Sequence, residues 1–431
     1  MSEAMELEGK EVLARLGEAG YEAYFVGGCV RDKLLGRPLK DIDIATSALP
    51  EQVMRLFART APTGLQHGTV TVIMERYTFE VTTFRKESEY ELFRKPKSVE
   101  FISDLNEDLR RRDFTINAMA IAADGSCIDP FGGQADLAAK LVRAVGDPME
   151  RFHEDALRML RGIRFACEYG FELEPDTWSA LLAHAALLSH VAMERVSAEL
   201  DKMISGHAPD RAAELLYRSR LPRHFKQPID WPLANGEAGT EPAWPAVLGL
   251  IEGSELRWTA LFVQLGMDAE AAKEAMKRLK FAGKKSDAVV KLLKADAWMK
   301  ERATDVIRAS DTAENAKAGY GLVALVCVEF GKPLVREWLR LAAWREEALG
   351  ERGWLVFAKR AEEWVELVAA DKVTDLAIGG SEVAALLDKR PGPWLGLLLQ
   401  ELLAEVALGT IPNERTSLLE IAKIRVKRDN A

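Results

Sequence analysis

Two neighbouring segments decide the fold prediction: Tyr24-Phe-Val-Gly27-Gly28-Cys-Val-Arg31-Asp32, and then Lys40-Asp41-Ile-Asp43-Ile-Ala45. Aromatic and β-branched runs predict strands at 24–26 and 41–45, with a helix over 30–35 between them. Residues two apart on a strand point to the same side, so Asp41 and Asp43 present their carboxylates together. Two such charges repel unless a cation lies between them. Mg²⁺ commonly takes one or two carboxylates plus substrate phosphates, so the sequence predicts a magnesium site.

The glycine pair before the short helix predicts a place for an anion. Glycine lets the backbone approach a phosphate closely, and the helix N-terminus with Arg31 adds positive potential for a triphosphate. Gly28 and Arg31 are therefore candidate nucleotide-binding residues. A glycine pair or an Asp-x-Asp alone is most often a turn or a solvated strand edge. Their combination in one strand–helix–strand unit favours metal-dependent nucleotidyl transfer instead.

The remaining periodicity predicts an α+β head followed by an all-α region. Further strands are expected at 69–74, 78–84 and 116–121, with a helix over 50–57. From residue 149 onward, apolar residues recur at helical spacing. Glu80 lies inside the strand predicted at 78–84. An acid there is either at a sheet edge or turned toward the metal, and the sequence leaves both open.

A second cluster is Arg110-Arg111-Arg112-Asp113-Phe-Thr-Ile-Asn117. Three consecutive arginines are most often a solvated face, but these run directly into an apolar segment, which brings at least one guanidinium toward the sheet. Arg112 is the candidate for a triphosphate or ribose contact, and Asp113 and Asn117 are weaker candidates.

A third cluster contains Asp155, Arg158 and Arg161, with Arg164 further round the predicted helix. Residues at i, i+3 and i+6 form one polar stripe, which in most helices is only a solvated face with an ion pair. The functional interpretation is more specific. A carboxylate beside a guanidinium can accept from an exocyclic amine and donate to the adjacent ring nitrogen, which selects cytosine and adenine over guanine and uracil.

Composition limits the class of protein. The chain has 431 residues, 48% of them hydrophobic and 29% charged, with 58 Lys or Arg against 67 Asp or Glu. At roughly 100–200 residues per domain, two to four domains are expected. The four scattered cysteines form no CxxC pair, and the N-terminus lacks a signal-like apolar stretch. We therefore expect a cytoplasmic protein with no membrane contact.

The net charge of −9 argues against a polyanionic partner only if the charge is uniform. Residues 271–300 contain nine Lys or Arg and three acidic residues, a local net charge of +6. Although such a stretch is usually just solvated, it is a candidate contact to an RNA backbone.

The three clusters together resemble the class II tRNA nucleotidyltransferases, the CCA-adding enzymes of the polymerase β superfamily. The matching motifs lie within residues 21–170: Gly27-Gly28-x-Val-Arg31-Asp32 with Asp41-x-Asp43, then Arg111-Arg112-Asp113-Phe-Thr-x-Asn117, then Glu154-Asp155-x-x-Arg158-x-x-Arg161. Residues 85–97 resemble the flexible loop of that family, which is associated with the switch from C to A addition. Residues 191–200, with Glu194, Arg195 and Glu199, resemble its neck motif.

The resemblance implies a polymerase-β-like nucleotidyltransferase head over 1–148, a neck with a base-reading helix over 149–210, an RNA-binding body over 211–330 and a tRNA-binding tail over 331–431. It implies that C, C and A are added from CTP and ATP to the tRNA 3′ end beside the acceptor stem, with release of pyrophosphate. Asp41 and Asp43 would bind Mg²⁺, and Gly28, Arg31 and Arg112 the nucleotide. Asp155 and Arg158 would recognise the base, with Arg161 and Arg164 in support.

Several alternatives stay open from sequence. A CC-only enzyme, an A-only enzyme and a bacterial poly(A) polymerase share the class, and a non-catalytic RNA-binding module is the rival from outside it. The retained carboxylate pair disfavours that module, because a non-catalytic descendant has no need of two repelling acids. We expect a monomer, with a dimer as the open alternative.

Overall fold

The computed structural model describes residues 2–87, 90–91, 95–96, 99–229, 247–308 and 313–429. The chain forms two compact units, residues 1–230 and 231–431. The finer division into head, neck, body and tail stays a prediction. The segment predicted to be a flexible loop lies partly outside the described residues.

The first 147 residues form a mixed sheet with short helices around it. The helices are α1 Ser2–Glu18, α2 Gly28–Leu34, α3 Pro50–Leu56, α4 Leu105–Arg110 and α5 Gly133–Ala139. The strands are β1 Ala23–Val26, β2 Asp43–Thr46, β3 Thr60–Gly64, β4 Thr69–Ile73, β5 Thr78–Thr83, β6 Arg85–Glu87, β7 Tyr90–Glu91, β8 Lys95–Pro96, β9 Val99–Phe101, β10 Ala120–Ile121, β11 Cys127–Ile128 and β12 Leu141–Val142.

Among the described strands, seven form the main sheet in the order β11-β10-β1-β2-β5-β4-β3. Strands β2 and β5 are parallel, and the other neighbours are antiparallel. The register places Val26 opposite Asp43, and Asp43 opposite Glu80 on β5. The end of β1, the start of β2 and a carboxylate of β5 therefore lie in one row across the sheet.

Both faces of this sheet are covered. Phe25 and Ile44 face a core that includes residues of α1 and α3. Val26 and Ala45, on the alternate positions, face a second core that includes Leu109 of α4. Because successive side chains alternate between the faces, polar groups of β2 reach solvent only where the strand begins.

One predicted strand differs from the structure, and several observed strands, β3 among them, were not predicted. The apolar run at 116–121 forms a 3₁₀ turn over Thr115–Asn117 and then the two-residue β10. Ile116 and Met119 are both fully buried, and a short apolar run does not distinguish a strand from another buried segment. Strand β3 was not predicted, since its polar sequence is that of a half-exposed edge strand.

The rest of the first unit is mainly helical. It contains α6 Pro148–Glu154, α7 Leu157–Tyr169, α8 Pro175–Ala183, α9 Met193–Ile204 and α10 Pro209–Ser219. The exception is β13 Glu172–Leu173, which pairs in parallel with β12. Asp147 caps α6 by accepting from the Met149 amide at 2.8 Å, and Pro148 occupies its first turn.

In the second unit, all the described regular segments are helical, as predicted. They are α11 Ser254–Gln264, α12 Ala269–Arg278, α13 Gly283–Arg308, α14 Ala313–Phe330, α15 Lys332–Leu349, α16 Trp354–Leu367, α17 Gly380–Leu386, α18 Pro393–Ala407 and α19 Arg415–Asp429. None of the described helices combines the length and apolarity needed to cross a bilayer.

A buried ion pair joins α13 to α15 in this unit. Asp296 and Arg345 are only 4% and 2% exposed. Arg345 Nε donates to Asp296 Oδ1 at 2.8 Å, and Trp338 Nε1 donates to the same oxygen at 3.2 Å. The buried charges are thus compensated by each other and by the indole.

Removing one partner would leave an uncompensated charge in the core. We expect Asp296→Ala to lower the free energy of unfolding by about 3–5 kcal/mol. Asp287→Ala, at an exposed position of the same helix, should change it by less than about 0.5 kcal/mol. Urea unfolding followed by tryptophan fluorescence suits this test, because nine of the ten tryptophans lie after residue 230. Equal effects of the two substitutions would contradict the assignment.

Candidate active site

The two predicted metal ligands lie where β2 begins. Asp43 is the first residue of the strand, and Asp41 lies in the segment just before it rather than inside the strand as predicted. Ile42 and Ile44 are 2% and 0% exposed and fix this segment to the core. Both aspartates are exposed. The alternation of buried and exposed residues therefore keeps both carboxylates at the surface of the same site.

Glu80 lies on the parallel neighbour β5, directly opposite Asp43. Desolvation by the surrounding protein atoms, together with the charges of Asp41 and Glu80, raises the pKa of Asp43 to about 6, against the opposing positive charge of Arg112. Such mutual repulsion is relieved by a bound cation.

The carboxylates fit a metal that shares its ligands with a substrate. Among the described residues, no group of three or more His, Cys, Asp or Glu side chains converges as a complete metal site. A hard divalent cation on Asp41 and Asp43 therefore needs further oxygens, and phosphate groups supply them in many nucleotide enzymes. The donor set suits that arrangement and does not suit a closed structural site.

Gly27 makes room for an arginine beside these carboxylates. Its φ of 75° is in the region that favours glycine, and a Cβ atom there would lie 2.9 Å from Arg112 Nη1 and 4.0 Å from Asp43 Oδ2. Arg112 also contacts Asp108 Oδ2 at 3.4 Å through Nη2. Its buried Nε has no hydrogen-bond partner among the described residues. The predicted nucleotide ligand Arg112 is therefore placed at the carboxylate site.

Arg31 lies next to the same glycine turn. It is only 6% exposed, and a Cβ atom at Gly28 would be 3.5 Å from its Nη2. Its Nε donates to Asp32 Oδ1 at 3.0 Å, and Nη1 donates to Asn117 Oδ1. Its guanidinium carbon also lies 4.4 Å from the ring centre of Tyr169. The structure places Arg31, Gly28 and Arg112 around the same glycine turn.

Asp113 and Asn117 connect Arg31 to the helix α7. Asn117 Nδ2 donates to Asp113 Oδ1 at 3.1 Å, and Arg161 Nε donates to Asp113 Oδ2 at 2.7 Å. Burial alone would raise the pKa of Asp113, but the charge of Arg161 and the donated hydrogen bonds lower it to about 2. Because their side-chain oxygens are used on Arg31 and Arg161, these two residues hold the arginines in place.

The predicted polar stripe on one helix is interrupted at Asp155, and the ordinary i, i+3 ion pair with Arg158 is not formed. Asp155 lies between α6 and α7, and its Oδ1 accepts from the Leu157 amide at 3.1 Å. Its Oδ2 accepts from Arg195 Nη2 of α9 at 2.8 Å. Asp155 has an extended backbone, with a φ of −136°, so the helix is interrupted there and its side chain does not share a helix face with Arg158.

Arg158 pairs with Glu154 instead. Its Nη1 donates to Glu154 Oε2 at 2.6 Å, and its Nη2 donates to the Arg111 carbonyl at 2.9 Å. At 7% exposure it is a buried residue and not part of a solvated face.

Arg164 is paired as well. It donates through Nε to Glu199 Oε2 at 2.6 Å and through Nη1 to Glu168 Oε2 at 2.7 Å. Its positive charge is thus largely matched by two carboxylates. This arrangement supports the neighbouring residues of α7 and leaves Arg164 poorly placed for a direct nucleotide contact.

Three side chains of the site were not among the residues predicted from the sequence. Arg195 holds Asp155, while Phe165 and Tyr169 of α7 lie against the arginine side chains. Arg195 stands inside the neck motif, so the motif was a usable signal. The two aromatic residues occupy helical core positions, and nothing in the sequence distinguished them from ordinary packing.

Three known families match successive parts of the chain. The Poly A polymerase head domain matches residues 23–143. A family described as a probable RNA- and SrmB-binding site of polymerase A matches residues 170–229. The tRNA nucleotidyltransferase domain 2 family matches residues 251–422. Together with the paired carboxylates on the mixed sheet, these matches define a nucleotidyltransferase.

Full-length relatives narrow the class. The chain is 38% identical over 413 residues to the CCA-adding enzyme of Bacillus subtilis, covering 96% of each chain. It is 36% identical over 412 residues to that of Levilactobacillus brevis, covering 95% of this chain and 96% of the relative. The crystal structure of the Bacillus stearothermophilus CCA-adding enzyme in complex with CTP matches with a TM-score of 0.80, 31% identity and 99% coverage of both chains. This chain belongs to the family of CCA-adding enzymes.

The contact between Gly27 and Arg112 can be tested with a matched glycine. A methyl group in Gly27→Ala displaces the guanidinium, so the KM for the nucleoside triphosphate should rise about tenfold or more, as for a lost charge-assisted hydrogen bond. Gly36 has a similar φ of 67° but open space around it. Gly36→Ala should lower the melting temperature without changing this KM. A similar KM in both variants would show that the contact is unimportant.

Proposed function

We propose that this protein adds C, C and A, one at a time, to the 3′ end of tRNA, using CTP and ATP and releasing pyrophosphate. The observation that carries the proposal is the Asp41 and Asp43 pair beside Gly27 and Arg112, in a chain that matches CCA-adding enzymes over almost its whole length. The related structure that contains CTP supports a nucleotide site in this fold.

In the proposed reaction, the terminal 3′-hydroxyl of the RNA attacks the α-phosphate in line. Asp41 and Asp43 hold Mg²⁺, which when bound supplies a Lewis acid for the hydroxyl and the leaving oxygens. Glu80 is the candidate third carboxylate. Gly28, Arg31 and Arg112 hold the triphosphate, and because the guanidinium groups are fixed beforehand they need little reorganisation as negative charge develops.

We assign recognition of the base to Asp155 and Arg158. The carboxylate accepts from the exocyclic amine of cytosine or adenine, and the guanidinium donates to the adjacent ring nitrogen. Arg195 orients Asp155 at 2.8 Å, and Glu154 orients Arg158 at 2.6 Å. A guanine or uracil would place a carbonyl against the carboxylate, which repels it. Arg161 and Arg164 support the two reading residues through their own ion pairs.

The helical second unit offers a contact for the tRNA duplex. Helices α12 and α13 and the turn between them carry five exposed lysines with no ion pair among the described residues: Lys273, Lys277, Lys280, Lys284 and Lys291. Asp296, counted among the local acids, is buried against Arg345 and does not offset them. We propose that these lysines bind phosphates of the acceptor stem, since RNA duplexes are recognised mainly by shape and backbone.

Binding through these lysines should depend on salt. Each duplex phosphate contact contributes a slope of about −0.9 in a plot of log affinity against log salt concentration. We expect the tRNA dissociation constant of Lys277→Ala/Lys291→Ala to show a slope shallower by about 2 than that of the wild type. A variant slope equal to that of the wild type would overturn the role of these lysines.

One assay separates the proposed function from its rivals. Purified protein is given tRNA lacking CCA, tRNA ending in CC, or mature tRNA, with Mg²⁺ and labelled CTP or ATP. We expect two C and then one A, and no addition to mature tRNA. Only C, only A, or a long A tail would identify a CC-only enzyme, an A-only enzyme or a poly(A) polymerase. No incorporation would favour an RNA-binding module.

The carboxylate pair gives a sharper expectation for the same assay. Asp41→Ala should abolish incorporation of both nucleotides, because the metal loses one of its two protein ligands. Asp124→Ala, which removes an exposed aspartate from a turn of the head, should leave incorporation unchanged. Selective loss of only one nucleotide in Asp41→Ala would argue against a metal site shared by all steps.

The role of Asp155 in base selection can be tested with a matched control variant. Asp155→Ala should let GTP and UTP compete with CTP and ATP, measured as ratios of kcat/KM. Asp155 also accepts from a helix amide, so the variant loses a cap as well as a base contact. Asp147→Ala loses the equivalent cap of α6, worth about 1 kcal/mol, and should retain selectivity. Unchanged ratios in Asp155→Ala would exclude the reading role.

A further inference from the structure

A cavity of about 380 Å³ lies beside α7 and α9 in the first unit. We call it the neck pocket, and the residues of its wall that matter here are Lys40, Arg164, Glu168, Lys202 and His207. Its volume is within the range of about 300–1,000 Å³ that is usual for small-ligand sites. None of the roles assigned above uses Lys40, Lys202 or His207.

The pocket is electropositive. The charge of Arg164 is matched by Glu168 and by Glu199, which also lies 3.4 Å from Lys202. Three cations and two carboxylates leave a net positive charge, even with His207 neutral. Lys40 is exposed and makes no ion pair among the described residues, and the Lys202 side chain is 60% exposed. Both ammonium groups are therefore available to an anion.

The position of the pocket indicates which anion. Lys40 directly precedes the metal ligand Asp41, and Arg164 is one helical turn beyond Arg161. The pocket wall thus includes the residue before Asp41 and part of the base-reading helix, but none of Asp41, Asp43, Gly28, Arg31 and Arg112. A nucleotidyl transfer joins two substrates at one metal centre. The second is the RNA nucleotide whose 3′-hydroxyl attacks, and it needs a place next to Asp41.

We propose that the neck pocket binds the last nucleotide of the RNA strand, with Lys40 and Lys202 contacting its phosphate. The inference rests on the proposed function, since it names the place of one of the two substrates. Contacts to phosphate fix position without selecting sequence. This suits a strand end that is another base when the first C is added and is C in the two later steps.

Substitution of the two lysines tests the pocket. We expect Lys40→Ala/Lys202→Ala to raise the KM for tRNA lacking CCA about tenfold or more, as for loss of charge-assisted hydrogen bonds. The KM for CTP should stay within twofold, which also shows that the variant is folded. Lys10→Ala removes a lysine of α1 that pairs with Glu6 at 3.1 Å, and it should change neither constant. An unchanged KM for tRNA in the double variant would overturn the proposal.

A modified RNA shows whether the contact is direct. In tRNA with a neutral methylphosphonate at its last internucleotide linkage, the phosphate lacks the charge that the lysines would bind. Its dissociation constant, measured without nucleotide, should rise for the wild type but hardly rise further for the double variant, because contacting groups are not additive. Additive losses would place the lysines away from this phosphate.

The two hypotheses fail differently. If the wild type incorporates no nucleotide into unmodified tRNA, the proposed function is wrong, whatever the binding data show. If the wild type incorporates C, C and A but the double variant binds and extends tRNA normally, only the pocket assignment is wrong.

Discussion

The close approach of the Arg112 guanidinium to Gly27, in the turn that also borders Asp43, is the contact on which the site depends. The sheet brings Val26 opposite Asp43, so the glycine turn and the carboxylates meet at one place. A side chain at position 27 would collide with Arg112 Nη1 at 2.9 Å. Desolvation and the negative charges of Asp41 and Glu80 raise the pKa of Asp43 to about 6, and the positive charge of Arg112 opposes that rise. The glycine is therefore an electrostatic requirement as much as a conformational one.

Ion pairs fix the other arginines before any ligand binds. Arg31 contacts Asp32 and Asn117, Arg161 contacts Asp113, and Arg158 contacts Glu154. Removing one partner of a buried pair is costly, so these contacts constrain each other across α2, residues 113–117, α6 and α7. A site whose charges are already oriented pays little reorganisation when a phosphate develops negative charge. The aromatic rings of Phe165 and Tyr169 complete the support from α7.

The net charge of −9 did not exclude a polyanionic partner, because acidic and basic residues are unevenly distributed over the chain. Acids such as Asp113, Glu199 and Asp296 are buried and paired with arginine. Each such pair adds one positive and one negative charge, so it leaves the net charge of the chain unchanged. The lysines of α12 and α13 and those of the neck pocket remain exposed, so basic patches exist on a chain that is acidic overall.

The sequence by itself determined the order of head and helical regions, the strands around Asp43, and the grouping of Gly28, Arg31 and Arg112, because alternation and short motifs are local signals. Tertiary structure alone decided which charged side chains pair and where the chain turns. Asp155 pairs with Arg195 instead of Arg158, and the apolar segment before β10 turns instead of extending. The interruption of the helix at Asp155 and the packing of α9 against α7 determine which residues pair. Neither produces a periodic pattern in the sequence. Hydrophobic period fixes which face is buried, but only the packed fold fixes which charges meet.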